Sequence, residues 1–296
     1  MYKRQVVLDV NMPRMDGLQL LEKLQKERIK ANVVMVSTLT SKDADTTIMA
    51  LELGAIDFVT KPNNIIEAKG QEFKNNLLSV LSAALRMRKS TPALNSCNSR
   101  TLAAAKPAEP IKRLKPTGKN KLVALACSTG GPKALQSVIP YLPKNLNAPI
   151  VLVQHMPAGF TKSMADRLND ISEITVKEAK DGEILQKGNV YIAPGGRHME
   201  IKKKTDGTHV IALNDMPPIG GLKPCANITY DSLTSSGFDE IVCVVLTGMG
   251  ADGTNGILSL GKKKPIYVIS QDADSCVVYG MPKSCLLYTS DAADEL

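Results

Sequence analysis

The sequence has 296 residues, which is enough for about two domains. Because 43% of the residues are hydrophobic and 22% are charged, the chain can form folded cores and is not a disordered tail. No apolar run approaches the roughly 18 residues of a membrane span, and the first residues lack a signal-peptide pattern, so we expect a cytoplasmic protein without membrane insertion. The six cysteines form no CxxC pair, which argues against a disulfide scaffold and the usual zinc motifs.

The net charge of +8 comes from one segment. Residues 87–121 hold nine basic residues and one acidic residue, whereas the sequence on either side is almost balanced. Since this stretch is rich in Pro, Ala, Ser and Lys and has no apolar period, we interpret residues 89–118 as a basic linker. It separates a domain at 1–88 from a second domain at 119–284. A phosphate-binding arm is the alternative, but aromatic side chains for stacking are absent.

Residues 1–88 alternate apolar runs with amphipathic stretches. Short connections between strands and helices imply parallel pairing in an open α/β sheet. The pattern predicts strands and helices in alternation at Val6–Val10, Gly17–Gln25, Val33–Ser37, Asp43–Leu53, Phe58–Thr60 and Gln71–Arg86.

Three polar residues lie at the carboxyl ends of the predicted strands: Asp9 ends the run VVLD, Ser37 ends VVMVS, and Lys61 follows FVT. Open α/β sheets place their reactive groups at this edge. A carboxylate, a hydroxyl and an ammonium group there suit phosphoryl transfer to the carboxylate. Three ordinary polar residues at strand ends fit the spacing equally well.

The stretches LDVNMPRMDGLQLLEKL, VVMVST and ALELGAIDFVTKP resemble the receiver domain of two-component response regulators, which has a flavodoxin-like fold. The resemblance implies that Asp9 is the phosphoacceptor and a Mg²⁺ ligand. It makes Ser37 the switch hydroxyl, Phe58 the switch aromatic and Lys61 the phosphate-contacting lysine. It also implies a cis peptide bond before Pro62.

The resemblance starts at the phosphoacceptor strand. Receivers carry an acidic pair that helps to hold Mg²⁺ on a strand upstream of it, followed by a helix. We therefore expect this receiver to lack its first strand and helix, to fold poorly and to have an incomplete Mg²⁺ site.

In the second domain, three apolar stretches end in turns marked by glycine or proline. Continuous apolar character is typical of strands covered by helices on both faces. The predicted strands are Leu122–Ala126, Ile150–Val153 and Ile241–Leu246. Because the carboxyl ends of parallel strands meet at one edge, we expect Ser128, His155 and Asp252, which follow them, to be neighbours.

Serine, imidazole and carboxylate together can serve as a nucleophile, a general base and an orienting group. Ser128 precedes a predicted helix whose first position suits Pro132, so free N–H groups lie close to it. Glycines at Gly248 and Gly250 would let a second backbone amide approach, and two such donors would form an oxyanion hole.

The same residues have simpler interpretations, which spacing alone leaves open. Ser128 could cap a helix, the turn Ser-Thr-Gly-Gly-Pro could hold a phosphate, and Asp252 could belong to a plain turn. His198 and His209 lie in sequence that predicts a β-hairpin, and we interpret both as structural.

The motifs ACSTGGPKAL, IVLVQHMPAGFTKSMADRLN, VKEAKDG, VYIAPGGRHMEI, VVLTGMGADGTNGI and SCVVYGMP resemble, in the same order, the catalytic domain of CheB protein-glutamate methylesterases. The resemblance implies a doubly wound, mainly parallel sheet. It makes Ser128 the nucleophile, His155 the base and Asp252 the group that orients the base. Thr129 would shape the site, and the backbone amide of Met249 would hold the oxyanion.

The resemblance further implies hydrolysis of glutamate methyl esters on chemoreceptors, with release of methanol, and deamidation of receptor glutamines. The implied partners are the methylated cytoplasmic domains of chemoreceptors and the chemotaxis histidine kinase CheA. Phosphorylation by that kinase would open a catalytic face that the receiver covers. We expect a monomer that binds no nucleic acid, needs no metal for ester hydrolysis, and uses Mg²⁺ only for receiver phosphorylation.

The resemblance ends near Pro282, and we interpret residues 285–296 as a foreign tail without a periodic apolar face. Rival functions are a transcription factor, a nucleotide-binding α/β module and a receptor-binding adaptor without catalysis. The first is disfavoured, since the second domain is not basic and alternates strands with helices.

Overall fold

The structure is a computed structural model with two parallel β-sheets, each flanked by helices, and one antiparallel hairpin. This arrangement confirms the predicted α/β fold class, with a receiver-like unit followed by a doubly wound unit. The linker predicted at residues 89–118 lies outside the described part of the chain. The described residues are 5–62, 64, 67, 69–86 and 120–290.

The N-terminal unit follows the predicted alternation of strands and helices. Its elements are β1 (Gln5–Asp9), α1 (Gly17–Lys26), β2 (Asn32–Ser37), α2 (Ser41–Glu52), β3 (Asp57–Thr60) and α3 (Gln71–Arg86). The strands form a parallel sheet in the order β1-β2-β3. Side chains define the helix starts: Asp16 and Gln19 form a reciprocal capping box at α1, and Thr40 accepts a hydrogen bond from the Asp43 amide at α2.

Strand β1 pairs with β2 on one side and, within the described residues, has no strand on its other side. Val7 in this strand is 51% exposed, whereas Leu8 is buried in a core shared with Met35 and Ile48. The outer edge of β1 therefore presents backbone groups that no described strand pairs.

The second unit is built on six parallel strands in the order β11-β10-β4-β5-β7-β6. Its strands are β4 (Lys121–Cys127), β5 (Ile150–Gln154), β6 (Thr175–Glu178), β7 (Asn189–Ile192), β8 (His198–Lys203), β9 (His209–Asn214), β10 (Glu240–Val245) and β11 (Ile266–Ser270). Its helices are α4 (Gly131–Gln136), α5 (Phe160–Asp170), α6 (Ala226–Ser232), α7 (Thr254–Gly261) and α8 (Met281–Ser290). Within the described residues, no helix is both long and apolar enough to cross a membrane.

The continuously apolar strand β4 lies at the centre of this sheet. Leu122, Ala124 and Ala126 face one buried core, while Leu125 and Cys127 face the other. Since successive side chains point to opposite faces, both faces of β4 must be apolar, which explains the absence of a polar alternation in its sequence.

Strands β8 and β9 form the predicted antiparallel hairpin. His198 is fully buried, with its Nε2 atom 3.2 Å from the carbonyl oxygen of Pro217. His209 stacks on the ring of Phe238 at a centroid distance of 3.9 Å. Both histidines thus take part in packing away from the triad residues.

Two sequence predictions are wrong. Helix α8 includes residues 285–290, so the catalytic unit continues past the predicted boundary at residue 284. Its buried residues Met281 and Cys285 are one turn apart and pack into the same core, a spacing too short to be recognised as a periodic face. The cis X-Pro bond of the described residues precedes Pro224, and the bond before Pro62 is trans.

We expect Ile192→Ala to lower the free energy of unfolding by about 2–5 kcal/mol, because Ile192 in β7 is fully buried and its truncation leaves a cavity. The matched control is Ile269→Ala in β11 of the same sheet, where the side chain is 55% exposed. Urea unfolding monitored by circular dichroism measures both. Equal effects of the two substitutions would contradict this description of the core.

Candidate active site

The carboxyl ends of three neighbouring strands meet at one edge of the large sheet. In the parallel ladders, Cys127 at the end of β4 lies opposite Gln154 of β5, and Ala126 lies opposite Val245 of β10. The chain therefore leaves all three strands at the same level. Ser128 and His155 each come directly after their strand.

The turn that carries Ser128 is fixed by its backbone. The Ser128 amide donates to the carbonyl of Thr247, 3.0 Å away, and its carbonyl accepts from the amide of Gly131 at 2.7 Å. Helix α4 is capped by Gly130, whose φ of 77° places it in the left-handed region, and no side chain caps this helix. Ser128 is therefore not the N-cap, and as a partly exposed residue it keeps its hydroxyl available for chemistry.

His155 and Asp252 form a buried pair, with His155 Nε2 2.8 Å from Asp252 Oδ2. Their side chains are 9% and 4% exposed. An ionised carboxylate only accepts hydrogen bonds, so Nε2 carries the proton and Nδ1 is the basic nitrogen of the neutral ring. Within the described residues, no hydrogen bond joins His155 to the Ser128 hydroxyl. Such bonds are often long in enzymes without substrate.

The segment that starts α6 surrounds Asp252 with donors. Oδ2 accepts from the amide of Ala226 at 2.6 Å, while Oδ1 accepts from the amide of Asn227 and the thiol of Cys225, both at 3.1 Å. Burial by itself would raise the pKa of Asp252. The hydrogen bond and charge of His155, together with these donors, outweigh burial and lower the pKa to about 2.

The lowered pKa gives a pH dependence of stability. Ionised Asp252 stabilises the fold fully above its unfolded pKa, near 4, and this contribution is lost as the pH falls towards 2. The stability difference between the parent and Asp252→Asn should shrink by about 1 kcal/mol from pH 5 to pH 3, and urea unfolding at both pH values measures it. A difference that stays constant with pH would contradict the lowered pKa.

Gly248 allows the turn after β10 to approach Ser128. A Cβ atom there would lie 2.9 Å from the Cβ of Ser128 and 2.3 Å from the sulfur of Met281. The Gly248 amide donates to the carbonyl of Val278. In the described part of the chain, the amide of Met249 donates to no group, which leaves it available as an oxyanion donor.

The predicted receiver residues lie at the edge of the small sheet. The Lys61 ammonium is 2.6 Å from Oδ2 of Asp9, and the Asn11 amide donates to Oδ1 of Asp9 at 3.2 Å. Ser37 is fully buried, and its hydroxyl accepts from the hydroxyl of Thr47 at 2.8 Å. Asp9 and Lys61 thus lie together, as their positions at strand ends predict. The Ser37 side chain, in contrast, is buried away from solvent.

A Mg²⁺ ion does not fit the residues around Asp9. Among the described residues, no group of three or more His, Cys, Asp or Glu side chains could hold a metal ion. The Lys61 ammonium already pairs with the Asp9 carboxylate and would compete with a cation for the same oxygen.

The N-terminal unit packs against the catalytic unit through α2 and β3. The ring of Phe58 stacks on that of Phe160, the first residue of α5, with 4.4 Å between centroids. Arg167 of α5 donates two hydrogen bonds to the carboxylate of Glu52, at 2.6 and 3.0 Å. The predicted switch aromatic therefore contacts the helix that follows the His155 turn.

Two further contacts reach the residues beside the catalytic turns. The hydroxyl of Ser79 in α3 lies 3.1 Å from the sulfur of Met249. Asp57 of β3 neighbours the hydroxyl of Thr129. Burial raises the pKa of Asp57 to about 6, although hydrogen bonds from the Phe58 amide and from Thr129 act to lower it.

A cleft of about 1300 Å³ separates α3 from the segment between β11 and α8. Ser79 and Ser82 line the side of the cleft that α3 forms. Thr247, Met249 and Gly250 line the opposite side, next to the turn after β10. It offers an open approach to this edge of the large sheet.

Sequence reasoning missed several residues of the site. Gln154 is buried behind the catalytic turns, and a polar residue at the end of an apolar strand was the signal that could have identified it. Cys225 and Asn227 belong to LKPCANIT, a segment without a recognisable motif. Asp57 belongs to the N-terminal unit and reaches Thr129 only because the two units pack together, so no local sequence pattern identifies it.

Comparisons with known proteins agree with this architecture. A family model described as CheB methylesterase matches residues 123–293, and one described as response regulator receiver domain matches residues 4–69. The protein-glutamate methylesterase/protein-glutamine glutaminase of Bacillus subtilis (strain 168) is 42% identical over 95% of this chain and 78% of its own length. The protein of that name from Pyrococcus horikoshii is 41% identical over 95% and 74%.

A solved structure is also similar. The crystal structure of the CheB methylesterase catalytic domain of Thermotoga maritima has 45% sequence identity and a TM-score of 0.55, and it covers 57% of this chain and 89% of that chain. The fold and these likenesses define a response regulator whose output unit is a hydrolase. Because a family model matches more than half of the chain, the chain belongs to the CheB methylesterase family.

Proposed function

We propose that the chain is a serine esterase that hydrolyses glutamate methyl esters on the cytoplasmic domains of chemoreceptors and releases methanol. By the same route it deamidates receptor glutamines, with ammonia as the leaving group. The observation that carries the proposal is the buried His155–Asp252 pair at the strand edge where Ser128 lies. The names of the relatives from Bacillus subtilis and Pyrococcus horikoshii support this substrate class.

Catalysis begins when the Ser128 oxygen attacks the ester carbonyl. His155 takes the serine proton at Nδ1, and Asp252 holds Nε2–H and stabilises the imidazolium. The carbon–oxygen bond to methanol then breaks as the imidazolium returns the proton to the leaving methoxide. A water molecule, activated by the same imidazole, hydrolyses the acyl-enzyme and restores glutamate and free serine.

The negative charge of the tetrahedral intermediate is held by backbone donors. Among the described residues, the amides of Met249 and of Thr129, which follows the nucleophile, donate to no group and are the donors we assign to this charge. Gly248 brings the two turns together, as its contact with Ser128 requires. Two N–H groups aimed at one oxygen form an oxyanion hole, and the ester hydrolysis requires no metal.

We expect Ser128→Ala to reduce methanol release from methyl-labelled receptor membranes by at least about 10³-fold, since the nucleophile is lost. The matched control is Ser137→Ala at the exposed end of α4, which should keep parental activity. Circular dichroism checks that all three proteins are folded.

Retained release in Ser128→Ala would refute the esterase and favour the receptor-binding adaptor. A nucleotide-binding module would instead show thermal stabilisation by nucleotides and no labelling of Ser128 by a fluorophosphonate.

We further propose that the N-terminal unit regulates access to the site. The receiver resemblance makes Asp9 the residue that CheA would phosphorylate, and Lys61, 2.6 Å from its carboxylate, would contact the phosphoryl group. The Ser37 hydroxyl, which is buried and bonded to Thr47, would have to turn towards that group. The Mg²⁺ ion that assists this transfer has no complete site among the described residues. The Phe58–Phe160 stack and the Glu52–Arg167 pair support this, since they join the receiver to the helix after His155. The unphosphorylated receiver holds this packing, and phosphorylation shifts the population towards an open arrangement. The protein acts as a cytoplasmic monomer.

Phe58→Ala should raise the rate of receptor demethylation without phosphorylation by roughly two- to tenfold, because an aromatic stack contributes about 0.5–1.5 kcal/mol to the packing of the two units. The control is Phe73→Ala, which removes a partly buried aromatic ring that packs against the cluster containing Val34, Ile56 and Val59 and, among the described residues, does not stack on Phe160. Methanol release from receptor membranes measures both. No gain over the control would contradict regulation through this interface.

A further inference from the structure

Gln154 lies behind the two catalytic turns. It is the last residue of β5, is 2% exposed, and directly precedes His155. The strand register places it opposite Cys127, which directly precedes Ser128 on β4. Its side chain is therefore positioned between the nucleophile turn and the base turn. A buried carboxamide requires partners, because an unpaired one costs free energy.

The Gln154 carboxamide joins both catalytic residues through their main chains. Its Nε2 atom donates to the carbonyl of Ser128 at 3.0 Å and to the carbonyl of His155 at 3.2 Å. The two protons of one amide nitrogen thus bind the backbones of the nucleophile and of the base. Among the described residues, the His155 carbonyl has no other donor.

The orientation of this carboxamide is determined by its neighbours. The Cys127 thiol donates to Oε1 of Gln154 at 3.0 Å, and burial raises the pKa of that thiol, so it remains protonated as a donor. The bound oxygen leaves Nε2 facing the two carbonyls. Gly131 provides the space, since a Cβ atom there would lie 2.0 Å from Oε1.

We propose that Gln154 is a positioning residue, whose carboxamide sets the separation between the Ser128 hydroxyl and the His155 imidazole. This inference rests on the proposed function of the same site. Gln154 touches neither substrate nor reacting atoms and acts through the main chains of the two residues that do. No other described side chain donates to both.

The test compares the parent with Gln154→Met, which removes both donors at similar side-chain length, and with the isosteric Gln154→Glu. Loss of the carboxamide should lower kcat by about 10²-fold with little change in KM, since a displacement of about 1 Å between nucleophile and base costs that much. The rate of Ser128 labelling by a fluorophosphonate should fall by a similar factor. The kcat and the labelling rate of Gln154→Glu should lie between those of the parent and of Gln154→Met, because a protonated glutamate restores one of the two donors.

The control is Tyr191→Phe, which removes a buried hydroxyl with two hydrogen bonds, far from the turns. Its labelling rate should equal that of the parent at similar thermal stability. If Gln154→Met does not fold, Gln154→Glu carries the comparison.

The two readouts separate this inference from the proposed substrate. Slower labelling of the Gln154 variants supports the inference even if the parent releases no methanol, in which case the substrate assignment alone fails. Labelling of the variants at the parental rate overturns the inference. A parent that is not labelled at all overturns both.

Discussion

The parallel pairing of β4 with β10 on one side and β5 on the other is the constraint on which the site depends. Hydrogen bonds in these ladders end at one level, so the chain turns away from the sheet at adjacent points. The turns carry Ser128 and His155, and that of β10 brings Gly248 against the nucleophile. A register shift of one residue would move every side chain of a strand to the opposite face and separate these groups. Because β4 is apolar on both faces, polarity does not fix its register; the sizes and shapes of Leu122, Ala124 and Ala126 in one core and of Leu125 and Cys127 in the other do.

Asp252, which is buried, and Asp57, which is half-buried, show that the partners of a carboxylate decide, together with burial, whether it carries a charge. Asp252 receives an imidazole, three backbone amides and a thiol, and its pKa lies near 2. Asp57 has the Phe58 amide and the Thr129 hydroxyl as partners, and its pKa lies near 6. Burial acts in the same direction on both. The first carboxylate can support a cation during catalysis, whereas the second makes the packing of the two units less favourable when it is charged.

Sequence reasoning predicted the local elements and their meeting edge well, because both follow from short-range patterns. Apolar runs determine strands, and the crevice rule for parallel sheets determines which turns meet. Contacts that depend on distant packing were beyond its reach: Cys225 reaches Asp252 only after α6 docks, and Phe58 meets Phe160 only when the two units pack together. The end of α8 was missed for a similar reason, because the burial of Cys285 depends on core residues that are distant in the sequence.

The binding of Asp252 to Nε2 of His155 has a mechanical consequence. The remaining basic nitrogen is the one bonded to Cγ, closer to the main chain than Nε2, so a shift of the backbone at residue 155 reaches it through few bonds. The outer nitrogen is anchored by the carboxylate, which limits rotation of the ring about its side-chain bonds. The accuracy of proton transfer is therefore set more by the backbone at residue 155 than by the rotamer of its ring. In this arrangement, the rigidity of the backbone at the strand edge determines how precisely the basic nitrogen is held.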